Sequence, residues 1–394
     1  MALIPSWRWF GPQDPVALAE IRQTGATAVV TALHQIPVGE VWSCAAIEER
    51  KQMIEAARLA WLVVESVPVH EAIKQRSGDC ARYIDTYKQT LANLGQSGIR
   101  IVCYNFMPVL DWSRTELGML FPDGARSSGF RLHEFAAFDL FILRRPGAGA
   151  SYSARTAAQA GEFFGRLAEE DRARLESTIL LGLPGSGETL SLEQLQQSID
   201  RYRTIDRSRL KENLFAFLRE IVPAAEEAGV RLAIHPDDPP WSLFGLPRVV
   251  STCEDLTEIL AAVDSPHNGL TFCSGSLGAG HFNDVALMAE KFAARIHFAH
   301  PRNVVRGADL SFHEERLLEG EIDIYRVMKA LVVEDLRRQR VGRAEWDIPF
   351  RPDHGHHILE DSRRDTYPGY PLYGRLKNLA ELRGLEAGIR RSMG

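Results

Sequence analysis

No apolar run in this 394-residue chain approaches the ~18 residues that a membrane span needs. The opening Met-Ala-Leu-Ile-Pro-Ser-Trp-Arg-Trp also lacks the blocks of a signal peptide, so neither a leader nor a membrane partner is expected. Cysteine is scarce. Cys44, Cys80, Cys103, Cys253 and Cys273 are five in number, far apart and never spaced as CxxC. A disulfide framework is thereby excluded, a reducing compartment is favoured, and a cytoplasmic location is expected. Positive charge is not in excess either, since 46 basic and 52 acidic residues leave a net charge of −6. The footprint of a nucleic-acid-binding protein is missing. What is present is ordinary for a globular protein, with 45% hydrophobic and 25% charged residues. The length suffices for two domains or for one large α/β barrel with insertions.

Short β-branched or aromatic runs alternate with helical patterns along the chain. Trp7–Phe10 reads as a first strand, followed by a helix from Val16 to Gln23 that Asp14 could cap. Thr27–Leu33, Trp61–Val64 and Ile101–Tyr104 read as strands two to four, separated by helices near Ala45–Leu59 and Ala81–Leu94. Residues 107 to about 205 break the rhythm with Pro, Gly and Ser clusters, including Gly182-Leu183-Pro184-Gly185-Ser186-Gly187, and show no convincing strand. They are too long for a simple connection and read as a helical excursion, a lid or an oligomer contact. A helix near Leu210–Ala228, stopped by Gly229, restores the rhythm. Strands then follow at Arg231–Ile234, Gly269–Phe272, Arg295–Ala299 and Trp346–Arg351, with a closing helix near Leu372–Arg390. Eight strands, each followed by helical pattern, are the count of a (β/α)₈ TIM barrel. The chain is expected to be a single such domain, 1–394, with a long helical insertion after the fourth strand.

In that fold the chemistry sits where strands end. The residues at the ends of strands two to eight are His34, Glu65, Asn105, His235, Cys273, His300 and Asp353. Seven successive polar or ligating residues are not a chance scatter. His235, Cys273, His300 and Asp353 supply two imidazoles, a thiolate and a carboxylate, which suit a divalent transition ion with open positions for substrate. The last strand runs straight into Asp353-His354-Gly355-His356-His357, a cluster able to bind metal or move protons. His297 alternates to the face away from His300 and is expected to pack. Asp237 and Asp238 could hold hydroxyls or simply shape the turn before Pro239.

Several stretches are long and unusual: WRWFGPQDPVALAEIRQTGATAVVTALHQIPVGEVW, VVESVPVHE, VCYNFMPVLDWSRT, HPDDPP, FGLPRVVST, RPDHGH and PGYPLYGRL. By these the chain resembles, nearly end to end, the mannonate dehydratases of the xylose-isomerase-like barrel superfamily. The resemblance implies a hydro-lyase that converts D-mannonate to 2-keto-3-deoxy-D-gluconate in hexuronate catabolism. It implies Mn²⁺ or Fe²⁺ held by His235, Cys273, His300 and Asp353, and proton transfer by His354 and Tyr370. The residues are chemically apt. Dehydrating a 2,3-dihydroxy acid needs a base at C2, an acid at the leaving oxygen and a Lewis acid. Arg302 has the planar fork to grip the substrate carboxylate, and His34 and Asn105 could hold hydroxyls. In one place the chain departs from the family pattern, with Pro301 where a leucine is expected between His300 and Arg302. A homo-oligomer, dimer or higher, is also expected. The rival readings are a sugar isomerase or epimerase on the same barrel, and a metal-bearing sugar-acid binding protein without turnover.

Overall fold

Strand-to-helix alternation closes a ring in the computed structural model, which describes residues 3–181, 190–343 and 347–393. Twelve strands occur among them. They are β1 (Ile4–Arg8), β2 (Ala28–Thr31), β3 (Ala60–Glu65), β4 (Ile101–Tyr104), β5 (Glu116–Leu120), β6 (Arg126–Phe130), β7 (Arg231–Ile234), β8 (Asn268–Cys273), β9 (Ile296–His300), β10 (Asn303–Arg306), β11 (Phe312–Glu315) and β12 (Pro349–Phe350). Eight of them form a closed parallel barrel in the order β1-β12-β9-β8-β7-β4-β3-β2. Short runs such as AVVT and IVCY are buried throughout, because helices cover one face and the barrel interior the other. The long outer helix Arg207–Ala228 shows how sequence sets these elements. Asp206 accepts from Arg209 N at its start, Leu210, Leu214, Phe217 and Ile221 face inward, and Gly229 ends it at φ +63°.

Several boundaries differ from the sequence reading. The first strand lies at Ile4–Arg8 rather than 7–10, since Gly11 and Asp14 already shape a turn there. Asp14 does not cap the following helix, which begins at Leu18. Its carboxylate instead accepts from the N–H groups of Phe10 and Val16. Trp346 and the cluster 182–187 lie outside the described residues.

The excursion after β4 is not purely helical. It opens with the hairpin β5–β6, and β6 pairs with β11 to build a four-stranded antiparallel sheet, β10-β11-β6-β5. The hairpin is also stitched to the loop after β12, because Arg126 and His357 exchange backbone hydrogen bonds of 3.1 and 2.7 Å. Helices Leu132–Ala137, Ala154–Arg166, Glu169–Leu180 and Leu192–Asp200 follow.

Candidate metal centre and active site

Side chains alternate along a strand, so every second residue faces the barrel interior. Val30, Val63, Ile101, Cys103, Ala233 and Phe298 meet there as an apolar cluster of their own. Two residues beyond Val63, Ala233 and Phe298 stand Glu65, His235 and His300. Cys273 lies two beyond Thr271, whose hydroxyl donates to the Ala233 carbonyl. Cys273 and His300 are register partners across β8 and β9. The polar groups therefore form the next layer above the apolar one, at the C-terminal ends of the strands. His297, on the opposite face of β9, is buried among outer elements as expected.

One ligand atom each from His235, Cys273 and His300 lies within 4.8 Å of the other two. His235 donates Nδ1–H to the Pro236 carbonyl at 2.7 Å, which leaves the Nε2 lone pair free. His300 is completely buried, yet neither ring nitrogen has a hydrogen-bond partner, although Glu65 Oε1 stands 3.6 Å from Nε2. Burial, reinforced by the Arg351 cation, holds its pKa well below the ordinary value, so the ring is neutral. Burial and the Asp353 charge push the Cys273 thiol up to about 12, and the Ser276 hydroxyl donates to its sulfur at 3.0 Å. Asp353 stands beside this trio, with Oδ2 3.5 Å from Sγ of Cys273 and Oδ1 accepting from Arg351 at 2.7 Å. Burial alone would raise its pKa, but His354 and Arg351 outweigh that and hold the carboxylate ionised. A buried orphan imidazole such as His300, beside a thiol and a carboxylate, is costly unless something binds it. The donor set fits a divalent cation.

Two ionic networks flank the trio. In one, Arg351 grips Glu65 through two hydrogen bonds of 2.6 and 3.0 Å, and Arg8 lies 3.6 Å from the same carboxylate. In the other, Arg302 grips both oxygens of Glu314 at 2.7 Å and reaches Asp238 at 2.5 Å. Arg114 completes that second network, donating to Asp238 at 2.9 Å and to Glu314 at 2.8 Å. Burial opposes ionisation of Glu65, Asp238 and Glu314, and the neighbouring arginines overcome it, so all three sit well below the usual carboxylate range. Each nitrogen of Arg302 faces a protein carboxylate. Beyond Pro301, the Arg302 N–H donates to the Ser274 hydroxyl at 2.8 Å. Asp237 ties its loop to residues 250–251, accepting from Val250 N–H and the Ser251 hydroxyl at 2.7 Å each, whereas Asp238 belongs to the ionic network.

His354 and Tyr370 come together edge-on, with ring centroids 5.2 Å apart, and both are buried. Burial, then the Asp353 charge, push the Tyr370 hydroxyl well above its ordinary pKa. His34 Nε2 lies 3.3 Å from Arg8, and burial, with Arg8 and Arg50, lowers its pKa to about 3. Asn105 donates to Asp111 at 3.0 Å. His34 and Asn105 both line a cavity of about 600 Å³ over β2–β4, together with Ser66, Glu71 and Asp111. The residues that sequence reasoning passed over are Arg8, Arg114, Ser276, Glu314 and Arg351. Of these, Arg8, Arg114 and Arg351 do fall inside the quoted motifs, and Glu314 does not.

A family model described as D-mannonate dehydratase (UxuA) matches residues 3–393. The chain is 57% identical over 386 residues to a mannonate dehydratase of Chromohalobacter salexigens, covering 98% of each. It is 53% identical over 389 residues to one of Marinomonas sp., covering 98% of this chain and 99% of the relative. Among solved structures, mannonate dehydratase from Streptococcus suis serotype2 superposes with a TM-score of 0.78 at 36% identity, covering all of this chain and 95% of that one.

Proposed function

The chain belongs to the D-mannonate dehydratase family, and from that premise we propose how its residues carry out the reaction. The enzyme is a hydro-lyase that removes water from D-mannonate to give 2-keto-3-deoxy-D-gluconate. The observation that carries the residue assignment is the convergence of His235, Cys273 and His300 within 4.8 Å, beside Asp353 and below the His354–Tyr370 pair.

His235, Cys273, His300 and Asp353 would hold a divalent cation, Mn²⁺ or Fe²⁺. When bound, it supplies Lewis acidity to offset the negative charge that builds up next to the substrate carboxylate. The surrounding charges support this reading. Arg8, Arg114, Arg302 and Arg351 are balanced by Glu65, Asp238, Glu314 and Asp353. A dication with the Cys273 thiolate would leave one positive charge, the complement of a sugar-acid monoanion. The engaged state of Arg302 makes it the organiser of Asp238 and Glu314, while its cation still lies 3.5 Å from Asp353.

His354 accepts the C2 proton and Tyr370 donates to the departing C3 hydroxyl. Burial keeps the Tyr370 phenol protonated, so it has a proton to give at the outset, which is compatible with this direction. The resulting enol tautomerises to the 2-keto acid. His34 and Asn105, which line the cavity over β2–β4, are the residues proposed to hold substrate hydroxyls. The test is formation of 2-keto-3-deoxy acid from a panel of aldonic acids by chelator-treated protein, before and after Mn²⁺ or Fe²⁺ is restored. Turnover confined to D-mannonate and dependent on the metal supports the reading. Full activity of metal-free protein overturns the metal assignment.

A further inference from the structure

The barrel delivers His354, but the group that faces its inner nitrogen comes from outside the barrel. Glu314 lies on β11, in the antiparallel sheet that also contains the hairpin of the excursion. Its Oε1 stands 3.1 Å from Nδ1 of His354, at ion-pair distance though without the alignment of a hydrogen bond. On the other side of the ring, Nε2 is 4.0 Å from Oδ1 of Asp353 and so points toward the metal ligands. The ring has little room to turn. Trp112 and Tyr370 meet it edge-on at 6.0 and 5.2 Å, and the Gly369 backbone runs so close that an added Cβ would lie 3.4 Å from Cδ2. The main chain is anchored too, because Asn378 donates to the His354 carbonyl at 2.9 Å.

We infer that Glu314 is a positioning residue for the dehydration, setting His354 with Nδ1–H turned to the carboxylate and a bare Nε2 turned to the substrate. The inference rests on the proton-transfer reading of His354 given above. An imidazole that must accept a proton at one nitrogen needs the other nitrogen protonated and held, and a carboxylate does both. Arg302 and Arg114 serve this arrangement in turn. Their hydrogen bonds of 2.7 and 2.8 Å to Glu314 keep the carboxylate charged and pointed, so the buried ion is never left alone. The sheet thereby acts on the reaction without touching substrate.

The experiment compares Glu314→Gln, Glu314→Asp, Arg114→Met and His354→Asn as metal-loaded full-length enzymes, measuring kcat, KM, metal content and thermal midpoint. Glu314→Gln is expected to lower kcat by about 10–100-fold at nearly unchanged KM and metal content. Glu314→Asp, which restores the carboxylate, should recover part of that loss. Arg114→Met removes one of the two cations on the carboxylate but leaves Arg302 gripping both of its oxygens, and should lose less kcat than Glu314→Gln. A merely structural Glu314 would instead show equal losses in Glu314→Gln and Arg114→Met, tracking thermal midpoint or metal content. That result overturns the inference, as does wild-type kcat in Glu314→Gln while His354→Asn is inactive. Full activity in His354→Asn would remove the proton-transfer reading itself.

Discussion

Metal binding should release a proton, and that proton should come from Cys273. The thiol is pushed up to about 12 by burial and by the nearby Asp353 charge. Near pH 7 this is about five units of protonation, or about 7 kcal/mol that a cation must overcome to bind the thiolate. His300 adds no comparable term, because burial disfavours its cation and the ring is already neutral. The apparent association constant for Mn²⁺ should therefore rise about tenfold per pH unit through neutrality. Calorimetric titration of metal-free enzyme in buffers of different ionisation enthalpy would count about one proton released per Mn²⁺. In Cys273→Ser the pH slope should flatten and retention weaken, because an alcohol does not supply the anion. A wild-type affinity that ignores pH, with no proton released, would refute Cys273 as a thiolate ligand.

Other outcomes follow from the same geometry. Tyr370→Phe and His354→Asn should each keep metal and lose about 10²–10⁴-fold in kcat. In deuterated water Tyr370→Phe should still exchange the C2 hydrogen while His354→Asn should not, and the reverse pattern would exchange their roles. Arg302→Lys keeps a charge but not the two-pronged grip on Glu314, so kcat/KM should fall about 10–100-fold, and wild-type kinetics would contradict that dependence. Arg351→Met strips Glu65 of its bidentate partner in a buried site and should cost about 3–5 kcal/mol in denaturant unfolding, with a loss under 1 kcal/mol arguing against it. Glu65, Asp238, Glu314 and Asp353 all ionise more readily folded than unfolded, so their contribution is complete above the unfolded carboxylate range and is lost as pH falls below about 4. Thermal midpoints should be flat from pH 6 to 8 and fall steeply below about pH 4. A midpoint that rises on acidification would reverse the sign.

The barrel was legible because strands buried on both faces read as compact apolar runs, and because His235, Cys273, His300 and Asp353 interrupt those runs where they end. The sheet beside the barrel was not. ELGML and RSSGF carry glycine and no clean alternation, and their pairing depends on Phe130 meeting Phe312 from far along the chain. Glu314 was invisible for the same reason, since nothing local marks a carboxylate whose partners are Arg114, Arg302 and His354. Arg302 itself was recognised as a carboxylate fork, yet a side chain's shape does not say whose carboxylate it holds. Asp14 looked like a helix cap because its spacing allows one, but the Gly11 turn claimed its oxygens first.

The apolar cluster of Val30, Val63, Ile101, Cys103, Ala233 and Phe298 has a bearing on traffic. It is an apolar floor directly beneath the ligands. Such a layer offers water and protons no strong hydrogen-bonding partner along the barrel axis, so traffic to the ligands is left to the C-terminal end of the barrel.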